Sequence, residues 1–165
     1  MKIPPGPAPE LAVSEWLNTE QPVTLTGLRG QVVVIEAFQM LCPGCVAHGL
    51  PQAQRVQTVF GRDLVVLGLH TVFEHHAAMT PVALAAFLHE YRITFPVGVD
   101  RPVAGDEIPE TMRRYGLRGT PSLLIVDRAR RLRANAFGQV DDLSLGATLA
   151  RLIDEPVPTS EETEA

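Results

Sequence analysis

Cys42 and Cys45 are the only cysteines in the 165-residue chain, and they stand in one run, Cys42-Pro43-Gly44-Cys45. A bridge across so short a loop constrains the unfolded chain very little. A chain of this length also buries roughly 70% of its unfolded surface without help from staples. The pair therefore points to chemistry. Two chemistries use thiols at this spacing, disulfide exchange and metal ligation. No further cysteine is present to complete the usual three- or four-sulfur zinc set.

The surroundings favour exchange. Residues 31–38, Q-V-V-V-I-E-A-F, form the nearly continuous β-branched run of a buried strand. From Pro43 to Phe60, Val46, Leu50, Ala53, Val56 and Val59 recur at helical spacing, with Pro51 as an expected kink. Pro43 suits the first helical position, which makes Cys42 the N-cap. Its sulfur then faces unpaired amides, those of Gly44 and Cys45, and the positive end of the helix dipole. Both favour thiolate over thiol. Cys45 lies one turn in and is expected to be less exposed. The asymmetry assigns roles: Cys42 attacks a substrate disulfide, and Cys45 resolves the mixed disulfide.

Histidines offer a second chemistry. His48 follows Cys45 by three residues on the same helix. His70 ends a strand at the sheet edge expected to carry the site, and Glu74, His75 and His76 follow in a loop. These are candidate metal ligands, and thiolates with imidazole suit copper. A copper-handling chaperone is thus an alternative to exchange, as is a thiol peroxidase using Cys42 or a non-catalytic scaffold. His89 reads as an ordinary helix position.

The elements that must position these residues alternate. Residues 63–70 predict a second buried strand. Thr80-Pro81 predicts an N-cap and first-turn proline opening a helix through Tyr91. Residues 95–100 predict a short strand and 108–115 a short helix. Residues 122–127 and 132–137 flank an Arg-rich turn and predict an antiparallel hairpin, and 141–153 predict the closing helix. This is an α/β order, a mixed central sheet flanked by helices. Residues 1–9 read as a proline-rich lead, 10–153 as the folded domain and 154–165 as an acidic, disordered tail.

The net charge of −5 is carried by that tail, and the rest holds 14 basic and 14 acidic residues. A neutral body argues against nucleic acid as a partner. The cluster Arg113, Arg114, Arg118, Arg128, Arg130, Arg131 and Arg133 reads as a solvated face and a charged hairpin tip. No apolar run approaches the roughly 20 residues of a membrane span. The N-terminus has no signal-peptide core, so the expected location is cytoplasmic as written, or periplasmic or secreted had a leader been removed. A reducing cytosol favours a reductase.

From about Pro22 to Ile153 the chain resembles the thioredoxin superfamily, in its TlpA/ResA-like, redoxin-type branch. The matching pieces are Leu25-Thr26-Gly27-Leu28-Arg29-Gly30, Val33–Phe38, Cys42-Pro43-Gly44-Cys45, Phe95-Pro96-Val97-Gly98-Val99-Asp100, Tyr115-Gly116-Leu117-Arg118-Gly119-Thr120-Pro121, Ile125-Val126-Asp127 and Gly138. The resemblance implies a thioredoxin-like fold with a strand/helix segment inserted between the first βαβ unit and the cis-proline hairpin. It implies a protein disulfide or dithiol as substrate or partner, and no cofactor beyond the Cys42–Cys45 disulfide itself. It implies a cis Thr120-Pro121 bond facing the cysteines, with Thr120 backbone pairing with an extended peptide. Pro43, Gly44, Met40 and Leu41 complete the implied substrate face, the last two standing where the family usually has tryptophan. Glu36 falls where classical thioredoxins carry a buried acid. Burial raises such a carboxyl's pKa and lets it take and return the proton of Cys45. Two further departures stand out. Pro51 lies one residue later than usual, and Gln39 replaces the Thr or Ser that peroxiredoxins place three residues before their reactive cysteine.

Overall fold

The computed structural model describes residues 6–157, so residues 1–5 of the lead and 158–165 of the tail lie outside the described residues. Strand β2 (Val32–Phe38) is buried at all seven positions and forms the centre of the sheet. It runs parallel to β3 (Leu64–His70), from Val32 opposite Leu64 to Phe38 opposite His70. On its other side it is antiparallel to β5 (Ser122–Val126), which pairs antiparallel with β6 (Leu132–Phe137). Outside β3 lie β4 (Val97–Asp100), parallel to it, and β1 (Val13–Leu17), antiparallel to β4. The six strands are ordered β1-β4-β3-β2-β5-β6.

Alternation along β2 divides the core. Val32, Val34 and Phe38 pack with residues of α1 (Leu50–Phe60), α2 (Pro81–Glu90) and α4 (Asp142–Asp154). Val33, Ile35 and Ala37 pack on the other face with Met112 and Tyr115 of α3 (Glu110–Tyr115), together with Ala8 and Leu25. A strand buried on both faces must be apolar on both, which is why β2 reads as an unbroken run. The segment between β3 and α3, comprising α2 and β4, is the expected insertion.

Three details differ from the sequence reading. Strand β1 was not foreseen; its pairing slips between Val13 and Glu15, and this bulge breaks the period-two pattern by which an edge strand is read. Gly98 faces it, leaving room for Val13 and Trp16. The packed chain also begins before residue 10. Pro7 bridges Arg131, the Ala8 amide donates to Arg130 O, Ala8 is buried, and the Tyr115 hydroxyl donates to Pro9 O. At the other end Asp154 closes α4 and Glu155 pairs with Arg133. The arginine cluster is largely neutralised locally: Arg113 by Asp106, Arg114 by Glu110, Arg130 by Glu10, and Arg131 and Arg133 by Asp127.

Asp100 fastens the insertion to the sheet. Buried at the end of β4, its carboxylate accepts from the amides of Thr111 (2.7 Å) and Met112 (2.9 Å) at the start of α3 and from the Thr71 hydroxyl (2.9 Å). Asp100→Ala is expected to cost about 3 kcal/mol, because three buried donors lose their acceptor. Urea unfolding measures it, and a loss below about 1 kcal/mol would contradict this role.

Candidate active site

Cys42 directly follows β2 and a short turn, and it opens the helix that leads into α1. Its amide bonds back to Gln39 O at 3.2 Å, and its Sγ accepts the Cys45 amide at 3.2 Å. The thiol lies 3.5 Å from Thr120 O, the acceptor of its proton. Sulfur at a helix start thus meets a free amide, as the N-cap reading requires. Cys42 is half-buried and Cys45 fully buried, and both are free thiols. Burial pushes the Cys45 thiol up to about 12, its hydrogen bond with Cys42 adding to the rise, against smaller lowering by the Gln39 backbone and the Thr120 hydroxyl. Cys45 is therefore held as the thiol.

The Thr120–Pro121 bond is cis. Pro121 packs along the start of the helix, where Cβ atoms at Gly44 and Gly49 would fall 3.2 Å and 2.9 Å from its ring. These two glycines let the proline approach. Between them the helix widens into one π-helical turn, Cys45–Gly49, closed by Leu50 N–H donating to Cys45 O. Pro51 follows the π turn inside the continuing helix, so the turn upstream goes without the donor its amide would have supplied. The expected kink is thus a widened turn upstream of the proline.

Glu36 sits in the β2 row that faces the helix. It is 2% exposed, and its Oε1 has no hydrogen-bond partner among the described residues. Burial raises its pKa well above the carboxylate range, and the charge of Cys42 raises it further. A Cβ on Gly49 would overlap this oxygen. The backbone of the π turn therefore lies against the carboxyl. Gly49 escaped the sequence reading, although a glycine inside a helical pattern is a signal of close approach.

Only part of the face expected to meet substrate is exposed. Leu41 is 59% exposed, but Met40 is buried and belongs to the core with Phe38. Its role as a substrate-facing residue is corrected. Its amide donates to His70 Nε2 at 3.4 Å. Gln39 is buried as well: its Oε1 accepts the Phe73 amide at 3.2 Å and its Nε2 donates to Glu74 at 3.4 Å. Together Gln39 and His70 hold the turn before Cys42 against the loop after β3.

The histidines are not brought together. His70 is buried, its Nε2 is engaged by Met40, and burial holds its pKa down at about 4. His75 and His76 are exposed on the loop after β3, and His48 is exposed on the π turn. Among the described residues no three His, Cys, Asp or Glu side chains converge as metal ligands. The metal candidates His48, His70, His75 and His76 therefore do not form one site.

A family model described as AhpC/TSA matches residues 5–135. The chain belongs to the AhpC/TSA family. Among curated relatives of this redoxin, Protein DipZ of Mycobacterium tuberculosis is 29% identical over 158 residues, which is 93% of this chain and 21% of that protein. NHL repeat-containing protein 2 of Homo sapiens is 31% identical over 87 residues, half of this chain and 12% of that protein. The chain thus spans about a fifth or less of the curated relatives it matches. Among solved structures, a thioredoxin-like superfamily protein is 59% identical with a TM-score of 0.90, covering 92% of this chain and 99% of that one. A thiol-disulfide isomerase from Corynebacterium glutamicum is 52% identical with a TM-score of 0.87, covering 91% and 97%. The redoxin has the thioredoxin-like fold, and no helix among the described residues is long and apolar enough to cross a membrane.

Two pH-dependent stabilities follow. The folded redoxin holds the Glu36 proton beyond the ordinary carboxylate pKa of 4.5, where the unfolded chain releases it. Stability is then full below about 4.5 and declines as pH rises until the folded carboxyl ionises. Glu36→Gln is expected to gain stability over the parent increasingly from pH 5 to pH 8 in urea titrations of the reduced protein. A gain independent of pH would contradict the buried, neutral carboxyl. His70 works oppositely: the unfolded chain takes up a proton near pH 6.5 that the folded chain refuses until about 4. Stability is lost as pH falls through that window, by about 3 kcal/mol. His70→Leu should flatten this decline while costing roughly 1 kcal/mol at pH 7 for the lost Met40 acceptor.

Proposed function

We propose that this redoxin exchanges disulfides with protein substrates, in the reducing direction. The observation that carries the reading is the Cys42 sulfur at the start of the helix, 3.2 Å from the Cys45 amide and 3.5 Å from Thr120 O beside Pro121. Cys42 attacks a substrate disulfide. The Cys42–substrate bond forms as the substrate's own disulfide breaks, and the displaced substrate sulfur leaves as thiolate and takes a proton. Cys45 then attacks Cys42, giving the Cys42–Cys45 disulfide and releasing the second substrate thiol. The redoxin is oxidised by two electrons and the substrate is reduced by two, and no cofactor takes part.

Burial of Cys45 with its pKa near 12 makes an internal base necessary for the second step, and Glu36, once it has given up its own proton, is assigned that role. Leu41, Pro43 and Gly44 flank the attacking sulfur, and the Thr120 backbone lies across from it as the edge against which an extended peptide pairs. A cytoplasmic setting goes with the reducing direction. Gln39 supports exchange over peroxide reduction, because its side chain is engaged by Phe73 and Glu74 and it offers Cys42 no hydroxyl.

Insulin reduction with dithiothreitol as donor tests the reading. Cys42→Ser is expected to abolish the acceleration, and Cys45→Ser to accumulate a covalent Cys42–substrate adduct visible by mass spectrometry. Full activity in Cys42→Ser, or an adduct on Cys45 alone, would overturn it. A potential of the Cys42–Cys45 couple near −120 mV rather than about −270 mV would overturn the reducing direction.

A further inference from the structure

The turn that presents Cys42 is anchored at its first two residues. Residues 39–42 form a hydrogen-bonded turn, closed by the Cys42 amide donating to Gln39 O at 3.2 Å. Met40 packs into the core, and Leu41 alone of the four is exposed. Gln39 opens the turn, and both ends of its buried side chain are used. Its Oε1 accepts the Phe73 amide at 3.2 Å and its Nε2 donates to Glu74 Oε1 at 3.4 Å. A buried amide is costly unless bonded, so these two bonds hold the side chain in one place.

The loop that Gln39 grips is itself fixed. The amide of Thr71 donates to Phe38 O at 3.0 Å, and its hydroxyl donates to Asp100 at 2.9 Å. Asp100 in turn holds the start of α3 through the Thr111 and Met112 amides. At the far end of the loop Met79 is buried, and its amide donates to His75 O at 3.3 Å. A continuous line of bonds thus runs from α3 and the end of β4, through Asp100, Thr71 and the loop, to Gln39. From Gln39 O it reaches the Cys42 amide.

Resting on the reading of Cys42 as the attacking thiol, we propose that Gln39 is a positioning residue for the exchange reaction. It transmits the firmness of the inserted segment, through the loop after β3, to the turn that carries Cys42, and so fixes where the sulfur stands beside Thr120. Displacement at a disulfide needs the attacking sulfur in line with the bond that breaks, and small misplacements are costly in rate. A turn free to rock would hold Cys42 out of line for much of the time. Pairing of a peptide with the Thr120 backbone does not pass through this turn, so rate and binding separate. The inserted segment thereby gains a part in the chemistry without touching a sulfur.

The test mixes the reduced full chain with an excess of a fluorescent peptide disulfide at pH 7 and follows release of the first thiol. The saturating rate and the half-saturating concentration are both read. Gln39→Met keeps the volume and removes both bonds. It is expected to lower the saturating rate about tenfold, with half-saturation unchanged within about twofold. Glu74→Ala, at an exposed position, is expected to leave the urea midpoint unchanged and to lower the rate about threefold. The double variant should be no slower than Gln39→Met alone, because both act through one contact. A parent-like rate in Gln39→Met overturns the positioning role, as do losses at Gln39 and Glu74 that simply multiply. Should Gln39→Met fail to fold, a parent-like rate in Glu74→Ala overturns it. Activity retained in Cys42→Ser would instead remove the reading on which the proposal rests.

Discussion

A carboxyl group stands in an apolar row of the central strand, and the start of the catalytic helix is shaped around it. Along β2 the side chains facing α1 and α4 are Val32, Val34, Glu36 and Phe38, so one charged group interrupts a row of the core. Desolvation makes ionisation there costly and holds the proton on the carboxyl. Gly49 allows the helix to lie against it, the π-helical turn carries Gly49 into place, and Pro51, which has no amide to donate, follows where that turn ends. Gly44 and Gly49 then admit Pro121, which brings Thr120 O to the Cys42 sulfur. Glu36, the helix start and the Thr120-Pro121 loop are packed against one another.

The two sulfurs differ because the same helix treats them differently. Cys42 stands at the end, where an amide is free to meet it, and Cys45 is inside the turn, cut off from solvent. A thiol held near 12 is a poor nucleophile until something takes its proton. Depth shuts Cys45 off from solvent and at the same time holds the proton on its sulfur. The turn before Cys42 is fixed from behind by two buried side chains: Gln39 clasps the loop after β3, and His70 accepts the Met40 amide. The family's aromatic rim is reduced here to Leu41, since Met40 is drawn into the core.

Much of this was legible in the chain. The β-branched runs of β2, β3 and β5, the helical spacing after Pro43, and the N-cap pair Thr80-Pro81 rest on local periodicity and turn chemistry, and the structure follows them closely. Strand β1 was not legible, because a bulge breaks its alternation and its partner β4 lies about 85 residues away. The proline lead gave no sign that Pro7 and Ala8 would dock against the β5–β6 turn. Met40 looked like a rim residue because it adjoins Cys42. In the structure its amide meets His70, thirty residues later, and its side chain joins the core.

The sequence by itself determined the chemistry: two thiols at one-turn spacing, a strand before them and a helix after, and an acid in the strand. Those are local properties, set by residue type, backbone preference and period. The tertiary structure alone decided which groups face one another. That Glu36 Oε1 is left unpartnered, that the Gly49 backbone lies against it, and that no three candidate metal ligands converge among the described residues are consequences of how helix, sheet and loops pack. Packing between segments distant in the chain is fixed by the whole core, and no local pattern encodes it.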